Sequence, residues 1–340
     1  MRAFLERTGL AGPRMRWWFL YIGVFYVCWL AVMAGQNRWS EVASHWPISV
    51  VMTFGSLVAG STPMGGGTVA FPFLVLVFGQ PPSMGRNFGL TIQALGMTSA
   101  MIFILCRRTP IQSAILAWTA AGAVAGLLAG TFLIAPWLAA NTVKLAFSCL
   151  WMSFGMLTLA KNVEICSLVG APRIAGAAAM RAGLAVGAAG GITTALIGVG
   201  VEMMTYTTLV LLYRNDLKVA VPTAVSGMAL ASVLGTALHL AMGDIEPSVW
   251  SNWLAAAPIV VLGAPAGAFL VSVIPRVRTL FFISLLCVTQ FVWTLYHVGP
   301  SGAEWAFVAV SLGAAAAIFT ALYRRGKSAV PKPELERILS

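Results

Sequence analysis

The stretch that decides the fold reads Gly60-Ser-Thr-Pro-Met-Gly-Gly-Gly67, and it interrupts an apolar segment that covers residues 47–79. That segment is too long for one membrane helix of up to about 25 residues, and too short for two helices and a turn. Three successive glycines cost a helix about 1 kcal/mol each relative to alanine, and an interior proline costs about 3 kcal/mol. The pattern therefore predicts two half-helices that meet at the middle of a membrane.

A second interrupted segment covers residues 182–213 and contains Gly190-Gly-Ile-Thr-Thr194 and then Gly198-Val-Gly200. The positive-inside rule indicates how both segments lie, because arginine-rich loops stay in the cytoplasm. With the arginine-rich N-terminus inside, Arg107-Arg108 and the loop with Arg173 are also inside only if each segment returns to the side from which it starts. We therefore expect two re-entrant helical hairpins.

The composition agrees with an all-α polytopic membrane protein. Hydrophobic residues make up 59% of the 340 residues and charged residues only 9%, whereas a soluble domain carries about 25% charged residues. The net charge of +11 does not indicate nucleic acid as a partner, because the basic residues lie at the ends of apolar runs. Eight ordinary membrane spans are predicted, at 17–35, 87–106, 113–135, 142–160, 219–241, 250–274, 279–298 and 304–323.

The two halves of the chain resemble each other. Gly65 and Gly67 align with Gly198 and Gly200, and the motif Gly-x-x-x-Gly-x-Phe-Leu occurs at 126–133 and again at 263–270. Such glycine pairs let helices approach closely. Each half is predicted to hold one hairpin and three spans. Because three is an odd number of crossings, the second half starts on the opposite side of the membrane and is inverted relative to the first. Such inverted repeats are typical of secondary transporters. The predicted units are an N-terminal tail and extra helix (1–46), repeat 1 (47–161), a cytoplasmic linker (162–181), repeat 2 (182–298) and an extra C-terminal helix with a basic tail (299–340).

The run from Gly60 through Pro72 to Leu74 resembles the first-repeat signature of the sulfite exporter TauE/SafE family, which includes 4-toluenesulfonate uptake permeases. The second-repeat signature is echoed by Gly198-Val-Gly200 and by Ala220-Val-Pro-Thr223-Ala. The resemblance covers about residues 47–298. It implies a permease that moves a small sulfur-containing anion such as sulfite or an organosulfonate. The second repeat reads Gly198-Val-Gly-Val-Glu202 and lacks the third glycine and the proline of the first-repeat signature. This departure concerns the substrate more than the fold.

The two breaks are candidate anion sites, because a half-helix N-terminus has free N–H groups and a partial positive charge. The alternative is that the glycines only permit tight helix crossing. Gln93 and Ser226 occupy matching places one helix later. The candidate substrate-binding residues are Ser61, Thr62, Gly65, Gly66, Gly67, Thr68, Gln93, Thr193, Thr194, Gly198, Gly200 and Ser226.

Glu202 lies two residues past Gly200 in an otherwise uncharged half-helix. A carboxylate at the bilayer centre costs several kcal/mol, so we expect Glu202 to carry a proton together with the anion. The alternatives are a glutamate in a wet vestibule, one bonded to Thr193 or Tyr206, or one that pairs with the ammonium group of a zwitterionic sulfonate.

Other polar residues in the spans have simpler interpretations. His239 is expected at the membrane interface, with a proton relay as the second interpretation, and Gln290 is expected to hydrogen-bond across helices. Arg86 and Asn87 are expected to start a helix and anchor it at the interface.

Two other function classes stay open at this point. An anion channel of the same architecture has the same sequence features. An intramembrane enzyme is disfavoured, since His239 follows Ser226 by 13 residues, or about 20 Å along one helix. No cofactor, metal or catalytic residue is expected, and the five cysteines lack metal-site spacing. We expect a multi-pass protein of the cell (inner) membrane with both termini in the cytoplasm.

The charge pattern generates a topology prediction. Single cysteines placed at Arg108 and at Arg173 should stay unlabelled when a membrane-impermeant thiol reagent is added to intact cells, and should react after permeabilisation. The background is a variant without the five native cysteines. Labelling of either loop from outside would contradict the two re-entrant hairpins.

Overall fold

The computed structural model describes residues 12–167 and 172–328, without the side chains of residues 67, 68 and 276. Arg2 and Arg7 of the predicted cytoplasmic tail lie outside the described residues. The described part is helical and contains no strand. Its helices are, in chain order, α1 (Met15–Gly35), α2 (Trp39–Ser44), α3 (Trp46–Ser61), α4 (Gly67–Pro72, continued as a π turn over Phe73–Val77), α5 (Pro82–Cys106), α6 (Ser113–Ala129, continued over Gly130–Ile134 and Ala135–Trp137), α7 (Ala140–Ala160), α8 (Asn162–Cys166), α9 (Gly176–Ile197), α10 (Val201–Thr207, continued as a π turn over Thr208–Leu212), α11 (Leu217–Met242), α12 (Pro247–Val273), α13 (Arg276–Val298) and α14 (Gly302–Ser328).

Nine helices of the described part are long and apolar enough to cross a membrane. Eight of them, α1, α5, α6, α7 and α11–α14, correspond to the eight predicted spans. The ninth is α9, which begins at Gly176 and so extends the second interrupted segment by a turn and a half at its start. The prediction of an all-α polytopic membrane protein is confirmed.

The first interrupted segment forms a hairpin of α3 and α4, the first hairpin. Helix α3 ends at Ser61, and Thr62 is extended, as expected for a residue that precedes a proline. Gly65 has a φ of 68°, a left-handed conformation that glycine adopts without strain. Ile48 near the start of α3 and Phe78 just beyond α4 line one cavity. The chain therefore turns back on itself.

The second interrupted segment forms the second hairpin, of α9 and α10. Its break is only Gly198-Val-Gly200, where Gly198 has a φ of 80°. The hydroxyl of Tyr213, just after α10, donates to the carbonyl of Ala178 at the start of α9 (3.5 Å), so this segment also folds back.

The prediction that the break includes Gly190–Thr194 is wrong. The helix continues to Ile197, and the two glycines allow close packing. A methyl group at Gly190 would lie 2.6 Å from the Cα atom of Val201, and one at Gly191 would lie 2.6 Å from the carbonyl oxygen of Ala123. Tertiary contact on both sides of the helix outweighs the low helix propensity of the pair.

Each Gly-x-x-x-Gly motif brings a helix against the first arm of a hairpin. A methyl group at Gly126 in α6 would overlap the carbonyl oxygen of Ala188 in α9, and one at Gly267 in α12 would overlap that of Leu57 in α3. The backbones touch at both places, as the motif predicts. These two helix pairs hold the hairpins in position.

The open ends of the two hairpins lie at opposite ends of α11. The first hairpin opens beside Ser248 and Asn252, which follow the end of α11. The second opens beside Tyr213, which precedes the start of α11. The inverted repeat and the division of the chain into repeats stay predictions, which this opposed arrangement supports.

The outermost helices attach to the rest of the protein by side-chain hydrogen bonds. In α1, the indole of Trp18 donates to Ser99 (3.2 Å) and the hydroxyl of Tyr26 donates to the carbonyl of Pro258 (2.7 Å). In α14, the hydroxyl of Tyr323 donates to Glu164, which also accepts from Arg214 at 2.7 Å. Burial alone would raise the pKa of Glu164, but the hydrogen bonds from Tyr323 and Arg214 outweigh it and hold the pKa below its usual value.

The backbone contacts generate a stability prediction. Gly267→Ala should destabilise the protein by about 1–3 kcal/mol, because the new methyl group is forced into the backbone of α3. Gly313→Ala in α14 is the matched control, since nothing lies within 4 Å of its new methyl group. The midpoint of thermal unfolding in detergent should fall for Gly267→Ala and stay equal or rise for Gly313→Ala. Equal midpoints would refute the packing argument.

Candidate functional site

The tips of the two hairpins meet at three residues: Gly65 of the first break, Gln93 of α5 and Glu202 of α10. A methyl group at Gly65 would overlap Glu202 Oε1 and lie 2.7 Å from Gln93 Oε1. Both side-chain oxygens therefore face the same point on the first hairpin. The structure brings these three predicted site residues together in the protein interior.

Gln93 connects α5 to the tip of the second hairpin. Its Nε2 donates to the carbonyls of Gly89 and Gly198, both at 2.9 Å. Because both amide protons are used there, the acceptor Oε1 is the atom that faces Gly65. Oε1 is buried and has no hydrogen-bond partner among the described residues. A polar atom in that situation is costly unless something donates to it.

Glu202 is fully buried and has one bonded and one unbonded oxygen. Oε2 accepts from the backbone N–H of Gly200 at 3.2 Å, which caps the start of α10. Oε1 is buried without a partner in the described part of the chain. No hydrogen bond of Glu202 to Thr193 or Tyr206 occurs among the described contacts, since Thr193 bonds to Ala189 and the Tyr206 hydroxyl has no partner.

At the start of α10, side chains of α9 and α10 already accept from two backbone N–H groups. Glu202 accepts from the N–H of Gly200, and Thr194 Oγ1 accepts from that of Val201 at 3.3 Å. An anion that used these two N–H groups would have to displace Glu202 or Thr194. Of the residues at the first break, the side chain of Thr68 lies outside the described part, while Gly66 packs on Ala59 and beside Gln93.

The remaining predicted hydroxyls already donate to carbonyls of their own helices. This is a common arrangement for serine and threonine in helices, and it leaves the hydroxyl oxygen but not its proton for a ligand. Thr193 packs against Gly200 of the second break and also lines a cavity between α7, α9 and α14. The bonds are Ser61 to Leu57 (2.7 Å), Thr62 to Val58 (2.8 Å), Thr193 to Ala189 (2.9 Å) and Ser226 to Pro222 (2.8 Å).

A second polar cluster, the Asp244 cluster, lies where α5 begins and α11 ends. His239 Nδ1 is 2.9 Å from both carboxylate oxygens of Asp244, and Arg86 Nη2 is 3.4 Å from Asp244 Oδ2. The amide of Asn87 donates to the Asp244 carbonyl and to Glu246. These five residues form one network.

The structure adds to two expectations at this cluster. His239 is buried in the protein interior, and Arg86 and Asn87 bond to the acidic loop after α11. The position of His239 at the membrane interface stays a prediction. The signal in the sequence was an arginine just before one apolar span and a histidine near the end of another, where an acidic loop follows.

A largely apolar cavity of about 270 Å³ separates the first hairpin from α13. Gln290 lines it, and both amide atoms of Gln290 lack partners among the described residues. The expectation that Gln290 bonds across helices is therefore wrong. In the part of the chain that the structure describes, no group of three or more His, Cys, Asp or Glu residues could hold a metal ion.

The comparisons with known proteins agree with this architecture. The family model described as Sulfite exporter TauE/SafE matches residues 48–292, which include both hairpins, α5 and Glu202. No curated protein and no solved structure matches the chain significantly. The matched range covers most of the chain, leaving α1 and α14 as additions. The chain is a multi-pass membrane transporter that belongs to the sulfite exporter TauE/SafE family.

Proposed function

We propose that this protein is a secondary transporter that moves a small sulfur-containing anion, sulfite or an organosulfonate, across the cell membrane together with a proton carried by Glu202. The observation that carries the proposal is the position of Glu202. It is fully buried at the meeting point of the two hairpins, and its Oε1 lies beside Gly65 and Gln93 Oε1 without a hydrogen-bond partner among the described residues.

The chemistry of this junction calls for a proton. Two acceptor oxygens, Glu202 Oε1 and Gln93 Oε1, face one point, and neither has a donor among the described residues. An ionised carboxylate there would be repelled by the carbonyl oxygen of Gln93. A proton on Glu202 Oε1 can donate to Gln93 Oε1 and so satisfies both atoms. A substrate anion bound nearby adds a further negative charge, which favours the same proton. Anion and proton therefore bind together.

The opposed hairpins suit a transporter whose binding site opens to one side of the membrane at a time, which is called alternating access. We propose that the two repeats are inverted and that the site at the hairpin tips opens alternately toward the open end of each hairpin. In this arrangement both termini lie in the cytoplasm of a cell whose inner membrane holds the protein. An anion channel would instead need a continuous path past Gly65.

The coupling role predicts the behaviour of Glu202→Gln. Glutamine at this position imitates the protonated acid, because its amide can donate to Gln93 Oε1. Exchange of labelled sulfite across proteoliposomes should continue, since the neutral state is retained. Accumulation driven by a proton gradient should fall at least tenfold, to the level without a gradient.

Glu304→Gln is the control, since Glu304 lies at the start of α14 and bonds to Ser301. It should accumulate sulfite as the wild type does. Gradient-driven accumulation by Glu202→Gln at the wild-type level would refute the coupling role, and an ohmic current carried by sulfite would identify a channel.

The tip contact predicts a difference between two adjacent glycines. Gly65→Ala should lower the initial rate of sulfite uptake at least tenfold, because the methyl group occupies the point that Glu202 and Gln93 face. Gly66→Ala is the matched control: its methyl group would meet Ala59 Cβ at 3.5 Å and Met52 Cε at 3.6 Å, which are ordinary contacts. Uptake should be measured per amount of inserted, monodisperse protein. Equal rates for the two variants would show that the site lies elsewhere.

A further inference from the structure

The cavity between α7, α9 and α14 reaches the second break. Its volume is about 440 Å³, and it touches the tip of the second hairpin at Thr193, Ile197 and Met204. A methyl group at Gly200 would lie 2.6 Å from Thr193 Cβ, so one side chain contacts both the cavity and the backbone of the break. The cavity is therefore a direct neighbour of the candidate site.

The cavity extends toward the end of the protein where α7 begins. A methyl group at Gly122 in α6 would meet Leu184 of α9. One at Gly130, eight residues later, would meet Ile192, also eight residues later. Helices α6 and α9 therefore run parallel, and α6 ends on the tip side of the second hairpin, where α7 follows. This end lies opposite the open end of the second hairpin, on the side where the first hairpin opens.

Helix α14, one of the two additions to the family core, forms a wall of the cavity. It begins beside the start of α7, where the amide of Asn141 donates to Glu304 (3.4 Å). Phe307, Ser311 and Ala315 line the cavity; they are four residues apart and so lie on one face of the helix. The neighbouring Val310 is 71% exposed and lies on the outer face.

Three hydroxyl groups line this cavity at different depths. Thr142 lies in the first turn of α7, Ser311 lies nine residues or about 14 Å into α14, and Thr193 lies at the hairpin tip. The hydroxyls of Thr142 and Ser311 make no hydrogen bond within the described part of the chain, and both residues are only half-buried. Free hydroxyls in a space of this size favour water over lipid tails as its content.

We propose that this cavity is the path along which the substrate anion and its water reach the hairpin tips from the side where α7 and α14 begin. The appended helix α14 is then a wall of the transport path. A cavity of about 150 Å³ can hold benzene, so this one has room for an anion as large as benzenesulfonate. The inference rests on the proposed function, because it assigns one of the two access routes that alternating access requires.

The test measures how fast single cysteines react with 2-sulfonatoethyl methanethiosulfonate, an anionic thiol reagent that is itself a sulfonate. The full-length protein without its five native cysteines is held in lipid nanodiscs, and Ser311→Cys and Ala146→Cys place a thiol on two walls of the cavity. Val310→Cys is the matched control at the same depth of α14. A thiol that faces lipid stays neutral and unreactive, because only the thiolate attacks the reagent.

We expect Ser311→Cys and Ala146→Cys to react at least tenfold faster than Val310→Cys. Saturating benzenesulfonate should slow both reactions at least threefold. In proteoliposomes, modified Ser311→Cys should take up benzenesulfonate at least fivefold more slowly than the unmodified variant, whereas Val310→Cys treated in the same way should keep its rate.

Equal reaction rates for Ser311→Cys and Val310→Cys would show that lipid fills the cavity and would overturn the path. Fast reaction without protection by benzenesulfonate would also overturn it, since the cavity would be wet but not used. If reaction, protection and loss of uptake are all as expected but uptake ignores a proton gradient, the proposed coupling fails and the path stands. No uptake of sulfite or benzenesulfonate by the unmodified protein would overturn the proposed function and the path with it.

Discussion

The fold depends on one constraint: inside a bilayer every backbone N–H and C=O must find a partner within the protein. Two helix breaks at membrane depth violate this rule locally. The structure meets it by placing the breaks against each other, so that side chains bond to the exposed backbone. Gln93 donates to the carbonyl of Gly198, Thr194 accepts from Val201, and Glu202 accepts from Gly200. The residues that make the broken helices tolerable are therefore the residues of the candidate site.

Close backbone packing is what keeps the two tips together. Gly126 and Gly267 let α6 and α12 touch the first arms of the hairpins, and side chains of any size there would separate the helices. Rigid arms also explain how one carboxyl oxygen of Glu202, Oε1, can stay without a partner among the described residues, since the surrounding helices cannot collapse onto it. The site is held by helices that do not themselves contribute polar groups to it.

Much of the fold could be predicted from local sequence, because apolar length and glycine clusters act within a single segment. The break at Gly65 and the spans are of this kind. Gly190 and Gly191 show the limit: the same low helix propensity permits either a break or close packing, and only their contacts with Val201 and Ala123 decide. The bonding of the hydroxyls to carbonyls four residues earlier is a common local pattern. The burial of His239 depends on neighbours distant in sequence, so no local pattern could reveal it.

The link between α14 and the second hairpin has a kinetic consequence. Arg214 follows α10 directly, is bonded to Glu164 and lies under the ring of Tyr323, 5.5 Å from its centre. The alternating access proposed above would require a motion of this hairpin that carries α14 along or breaks these contacts. Their strength would then enter the barrier between the two proposed states, and with it the turnover number. Substitutions in an appended helix, far from the bound anion, can thus tune speed while leaving affinity unchanged.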